Sequence, residues 1–197
     1  MRPLRTQFWG FLALLVVLLT ACGGGETPAG PEPEAPAPAE TESVPESEPE
    51  AEPEPVQVTF EGTDLEGNTV TSDIFSQSKV TMVNIWATYC NPCLSEMPGL
   101  GELAAEYDAA DFQIIGIVSD VAEGGDQTLA ESLVQETGAA YPHLLRNDSL
   151  YYTFIAGLPG VPVTFFFDSE GYVLDGVVGA KDKEIWRDMV DGFLAEQ

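Results

Sequence analysis

Val80–Trp86 reads Val-Thr-Met-Val-Asn-Ile-Trp, β-branched and apolar with hardly a polar break. Such a run fits a strand buried on both faces of a sheet. No glycine turn follows it. The chain passes directly into Cys90-Asn91-Pro92-Cys93 and then into helix-forming sequence. Two cysteines with two residues between them at the start of a helix lie one turn apart. The first sits at the positive end of the helix dipole with its sulfur toward solvent, and the second is held behind it. This geometry is expected to favour the thiolate of Cys90, the form that attacks disulfides. Pro92 suits a first helical turn, where a missing N–H costs nothing.

The flanking sequence predicts an alternation of strands and helices. Residues 56–60 and 69–71 are expected to pair across a Glu66-Gly67-Asn68 turn as an N-terminal hairpin, and Asp73-Ile74-Phe75 to pack beneath the sheet. A helix is expected over 92–110, bent at Pro98, then a buried strand over 112–118. Asp126 is a candidate N-cap for an amphipathic helix over 128–137 that Gly138 ends. Residues 143–145 form a short edge or inserted strand, and 150–155 a brief helix. After the Gly157–Pro162 loop come strands over 163–167 and 172–178, joined by a Ser169-Glu170-Gly171 turn. The closing helix spans 181–195, with Ile185, Trp186, Met189, Val190 and Phe193 facing the sheet. Strand, helix, strand, an intervening segment, then hairpin and helix give an α/β domain. Its mixed central sheet is flanked by helices, with an N-terminal β-hairpin and a central insertion.

The segment from Trp86 to Pro98, Trp-Ala-Thr-Tyr-Cys-Asn-Pro-Cys-Leu-Ser-Glu-Met-Pro, resembles the active-site segment of the TlpA/ResA-type thioredoxin-like proteins, which are extracytoplasmic disulfide reductases. A second block, Gly160-Val-Pro-Val-Thr-Phe-Phe-Phe-Asp-Ser-Glu-Gly171, resembles that family's cis-proline loop and following strand. The resemblance covers 56–197 and implies a thioredoxin-like fold. It also implies a cis Val161–Pro162 bond whose backbone faces the cysteine pair and pairs with substrate in β fashion. In the family a glutamate at the place of Glu96 is implicated in proton handling. A carboxylate beside a thiolate raises the thiol pKa, and burial raises its own, so the two titrations would couple. A solvated helix glutamate is the alternative.

Within this frame Cys90 is the nucleophile and Cys93 the resolving thiol, which breaks the mixed disulfide by intramolecular attack. Asn84 stands where many thioredoxins carry a buried acid. Trp86 and Tyr89 wall the site, with core packing the competing place for Trp86. Pro92 and Val161 belong to the surface a substrate meets. His143 has no evident partner and reads as a surface or edge histidine. A metal-binding role for the cysteine pair fails on arithmetic, because the chain has one histidine and three cysteines. No metal and no cofactor are expected beyond a redox-active Cys90–Cys93 disulfide.

The third cysteine, Cys22, follows Leu19-Thr20-Ala21, which resembles a bacterial lipobox. Residues 1–21 carry Arg2 and Arg5, then an apolar run over 8–19, and read as a lipoprotein signal peptide. That run falls short of the ~20 residues a membrane-spanning helix needs. Residues 22–55 then form a lipidated tether: 26–55 hold ten glutamates and nine prolines and no Lys or Arg. Repelling charges and prolines favour an extended chain of at most about 100 Å. The domain at 56–197 carries 23 acidic against five basic residues, within a formal charge of −26 for all 197. Nucleic acid and anionic membrane surfaces would repel it.

The implied protein is an enzyme, a protein disulfide reductase held by a lipid on Cys22 at the outer face of the cytoplasmic membrane of a bacterial envelope. By resemblance its electrons come from a membrane thiol conduit of the CcdA/DsbD type. They pass to an exported client in cytochrome c maturation or methionine sulfoxide reductase recycling. An oxidase or isomerase on the same fold, or a non-catalytic docking lipoprotein, is the alternative. A peroxidase of the related peroxiredoxin branch needs Thr-x-x-Cys, whereas Thr88 stands two residues before Cys90.

Overall fold

The structure is a computed structural model and describes residues 55–197. The expected signal peptide, Cys22 and the expected tether up to residue 54 lie outside the described residues. A small hairpin pairs β1 (Glu61–Thr63) with β2 (Thr69–Thr71). The five-stranded sheet contains β3 (Val80–Trp86), β4 (Phe112–Ala122), β5 (His143–Arg146), β6 (Val163–Asp168) and β7 (Val173–Val178), in the order β5-β4-β3-β6-β7. Strands β3, β4 and β5 run parallel, while β6 and β7 return antiparallel, so the sheet is mixed. The helices are α1 (Asn91–Glu106), α2 (Thr128–Thr137), α3 (Asp148–Leu150, continued as a π-helical turn over Tyr151–Ile155) and α4 (Lys183–Glu196).

Every residue of β3 is buried, as its composition predicts. Alternation along the strand divides it between two cores. Met82 and Trp86 join Met97, Leu100 and Leu103 of α1, Ala130 of α2, and Trp186 and Val190 of α4. Val83 and Ile85 face the opposite way, toward Phe60, Phe75, Leu150, Phe154 and Phe167. The phenylalanines there meet edge-on or tilted, with Phe75 and Phe167 centroids 4.8 Å apart and Phe60 and Phe154 5.4 Å apart. The Asp73-Ile74-Phe75 segment thus packs beneath the sheet as expected, in a 3-10 turn over Ser72–Gln77.

The hairpin differs from its expected register. Asp64 accepts from the backbone N–H groups of Glu66 and Asn68 and from the Asn68 amide, and Gly67 takes a left-handed φ of 86°. This tight turn aligns Glu61 with Thr71, so β1 begins five residues later than the sequence pattern suggests. The displaced stretch is used elsewhere: Gln57 bridges Tyr172 beside the start of β7. Gly138 caps α2 with φ 69°, as predicted. Its carbonyl oxygen would lie 2.3 Å from a Cβ at Gly101, so α1 needs a glycine where it crosses the end of α2.

His143 is neither exposed nor without partners. It lies on edge strand β5 but is only 2% accessible. The Trp86 indole N–H donates to its Nδ1 at 3.1 Å, which leaves the ring proton on Nε2, 2.9 Å from the Ala139 carbonyl oxygen. Tyr141 packs on the same ring with centroids 4.5 Å apart. Gly116 makes room for it, since a Cβ there would fall 2.1 Å from Nδ1. Burial, only partly offset by the Ala139 bond, pushes the His143 pKa down from 6.5 to about 4. Below pH 6.5 the unfolded chain binds a proton that the folded one refuses until about pH 4. This contribution to stability is whole above the upper value and is lost as pH falls, reaching about 3 kcal/mol. Denaturant unfolding between these limits should show a steeper pH slope for the native protein than for His143→Leu. Equal slopes would contradict the buried neutral assignment.

Candidate active site

The end of β3 and the start of α1 define the site. After Trp86 the backbone turns through Ala87-Thr88-Tyr89, and the Cys90 N–H donates to the Ala87 carbonyl at 3.0 Å. Thr88 is clamped from the neighbouring strand: its N–H lies 3.0 and 3.1 Å from the two carboxylate oxygens of Asp120, and its hydroxyl donates to the same group. Cys90 is the N-cap of α1, and its Sγ accepts the Cys93 N–H at 3.3 Å. An N-cap position with an inward N–H favours negative charge on that sulfur. Cys90 and Cys93 are joined as a disulfide, with Cα atoms 5.3 Å apart.

The two sulfurs are not equivalent. Cys93 is 0% accessible and Cys90 6%, so an incoming thiol meets Cys90. Cys90 Sγ lies 3.6 Å from the Val161 carbonyl oxygen, and the Val161–Pro162 bond is cis. Pro162 itself is buried, and its carbonyl accepts the Gly179 N–H at 2.9 Å, which ties the loop to the end of β7. Val161 is half-buried, Pro92 exposed and Tyr89 75% accessible. Val161 touches the one reachable sulfur, and Tyr89 and Pro92 flank the cysteines along the chain. Trp86 does not: it is wholly buried and hydrogen-bonded to His143, so it supports the site from the core and does not meet substrate.

Beneath the disulfide lies a polar cluster. Glu96, one turn beyond Cys93, is buried, not solvated. Its Oε1 accepts from the Asn84 amide at 3.1 Å, and its Oε2 from the Lys181 N–H, also at 3.1 Å. Burial raises the Glu96 pKa above its usual 4.5, against the opposing pull of the Lys181 N–H, the Asn84 amide and the Trp186 indole. Trp186 Nε1 forms no direct hydrogen bond among the described residues, so its effect is that of a nearby dipole. Glu96 also lines a cleft of 210 Å³ with Ala180, Lys181 and Asp182.

Asp120 and Thr164, which bonds Asn84, escape a reading of the motif segment alone. Asp120 carries a usable signal, since it is a polar residue just past the buried run of a parallel strand, near the carboxyl end where sites in such sheets gather. Thr164 sits in a strand of phenylalanines and carries none. The fold and its paired cysteines define a thioredoxin-like thiol–disulfide oxidoreductase.

The sequence profile of the AhpC/TSA family matches residues 56–175, and the chain belongs to that family. It is 28% identical over 137 residues to the thiol-disulfide oxidoreductase ResA of Bacillus thuringiensis (strain Al Hakam), covering 68% of this chain and 72% of that protein. The thiol:disulfide interchange protein DsbE of Haemophilus influenzae is 27% identical over 121 residues, 61% of this chain and 62% of its own. Among solved structures, a thiol:disulfide interchange protein of the thioredoxin family from Chlorobium tepidum TLS superimposes with a TM-score of 0.63 at 25% identity, covering 74% of this chain and 99% of that one.

A carboxyl whose folded pKa is raised contributes stability that is present below its unfolded value and lost as pH rises through the folded one. For Glu96 the loss begins above about pH 4.5. The unfolding free energy of the native protein minus that of Glu96→Gln should therefore fall as pH climbs from 4.5. A difference independent of pH would mean that the carboxyl titrates as if exposed.

Proposed function

We propose that this protein reduces disulfides in exported client proteins while anchored by a lipid on Cys22 to the outer face of the cytoplasmic membrane. One observation carries the reading: the only reachable sulfur of the pair lies at a helix N-cap, against the carbonyl that precedes Pro162. In the reduced protein the Cys90 thiolate attacks a client disulfide, forming a mixed disulfide and expelling one client thiolate. Cys93 then attacks Cys90 Sγ, which restores the Cys90–Cys93 bond and frees the second client thiolate. Two electrons pass to the client, and the cysteine pair is the only redox group the cycle requires. The backbone at Val161, beside the reachable sulfur, is suited to pair with an extended client segment. Glu96, when uncharged, removes a like charge from the neighbourhood of the thiolates.

Residues 1–22 favour export and lipidation. The kinship with ResA and DsbE favours a membrane thiol conduit of the CcdA/DsbD type as donor, with a client in cytochrome c maturation or methionine sulfoxide reductase recycling. A peroxidase is disfavoured because the Thr88 hydroxyl is committed to Asp120. The same site run in reverse would be an oxidase. A reduction potential near the thioredoxin value of about −270 mV supports reduction, and one near about −120 mV supports oxidation.

Insulin reduction with dithiothreitol as donor tests the chemistry. Cys90→Ser should fall to the uncatalysed background, and Cys93→Ser expressed in the host should accumulate client as a mixed disulfide on Cys90. Native activity surviving in Cys90→Ser would overturn the mechanism, and no activity in the unmodified protein would leave a docking lipoprotein.

A further inference from the structure

Asn84 is buried at 0% accessibility in the middle of β3. Its amide nitrogen donates both ways, to Glu96 Oε1 at 3.1 Å and to Thr164 Oγ1 at 3.0 Å. Its oxygen, Oδ1, has no hydrogen-bond partner among the described residues. A buried amide oxygen left unpaired costs free energy. The observed arrangement suits a charged neighbour, and a turned amide would suit a protonated one. A charged Glu96 accepts hydrogen bonds and cannot donate, so it requires the nitrogen of Asn84. A protonated Glu96 keeps an acceptor oxygen but also carries an O–H, which an oxygen at the place of the Asn84 nitrogen could receive.

We propose that the Asn84 amide turns over as Glu96 gains or loses its proton, so that the same two neighbours are satisfied in both states. With Glu96 protonated, Asn84 Oδ1 takes the place of the nitrogen and accepts from the carboxylic acid and from the Thr164 hydroxyl together. Thr164 permits this because a hydroxyl accepts in one state and donates in the other. A carbonyl or a carboxylate at that place would accept only and would hold the amide in one orientation. Asn84 is thus a positioning residue that presents a donor to the carboxylate and an acceptor to the acid.

The step moves one proton and no electrons. The proton passes between Glu96 and solvent through the cleft shared with Ser95, Lys181 and Asp182. Several titratable or charged groups lie around Glu96. Cys90 and Cys93 share its helix, Lys181 and Asp182 stand on the segment before α4, and Tyr141 precedes β5. Burial first, and the Glu96 charge second, raise the phenol pKa of Tyr141, and Lys181 favours the charged carboxylate. Of the two groups that hydrogen-bond the Glu96 carboxyl among the described residues, the Asn84 amide and the Lys181 backbone N–H, the amide is the one able to reverse its polarity.

The relay rests on the proposed thiol–disulfide cycle for its use, but its motion can be read with the cysteine pair held oxidised. The experiment is NMR of the isotope-labelled mature protein in the disulfide form, across the Glu96 titration followed at its carboxyl carbon. At high pH the Asn84 amide protons should show an Overhauser contact to the Thr164 methyl group, and that contact should disappear with the Glu96 midpoint. In Glu96→Gln, where no proton is exchanged, the contact should not change with pH. An Overhauser contact that persists unchanged while Glu96 titrates would overturn the proposal, since a static amide would shift its resonances but keep its neighbours. Loss of insulin reduction without loss of this switch would instead fault the functional reading and leave the relay standing.

Discussion

Strand β3 holds the active-site loop in place because it has neither an exposed face nor a free edge. Parallel β4 binds one side from Val80 to Trp86, and antiparallel β6 binds the other. Its two rows of side chains enter separate cores. A slip of one residue would exchange those rows, moving Trp86 away from α1 and Val83 toward it. The register is therefore strongly specified, and with it the point at which the chain emerges. Cys90 inherits its position from that point, through the Ala87 carbonyl behind it and the Asp120 carboxylate beside it.

The same central strand explains why chemistry can sit so close to the core. β6 pairs with β3 and begins immediately after Pro162, so one ladder of hydrogen bonds sets both the cysteine turn and the proline loop. The polar cluster of Asn84, Glu96 and Thr164 bridges β3, α1 and β6 in the layer below. Placing a carboxyl there is costly, and burial opposes its ionisation. Two donors from other parts of the chain, the Asn84 amide and the Lys181 N–H, keep that cost within what the fold tolerates. On the far side of the same strand end, Trp86 and His143 form a neutral buried pair that anchors the edge of the sheet.

Much of this is legible in the sequence because local chemistry and tertiary position agree. The unbroken apolar run announces β3, the spacing of Cys90 and Cys93 announces a helix N-terminus, and Gly138 announces the end of α2. Resemblance, not local chemistry, supplies the cis bond at Pro162 and attention to Glu96. Where the reading departs from the structure, long-range contacts decide. The residues at 56–60 alternate like a strand, but the Asp64 turn fixes the hairpin register and leaves Gln57 to pair with Tyr172. His143 and Trp86 carry no local sign that they meet across two strands, so one reads as surface and the other as an active-site wall. Thr164 and Asp120 act through partners 80 and 32 residues away in the chain, a distance at which a single sequence gives no pairing information.

The account stands most directly on the inequality between two sulfurs one helical turn apart. Its most direct measurement is alkylation of the fully reduced, folded protein with a limiting amount of iodoacetamide, with the modified residue located by peptide mass mapping. Cys90 should carry the label and Cys93 should stay free until denaturant is added. Label on Cys93 first, or on both at equal rates, would contradict the sealed position of the second cysteine and the role assigned to the first.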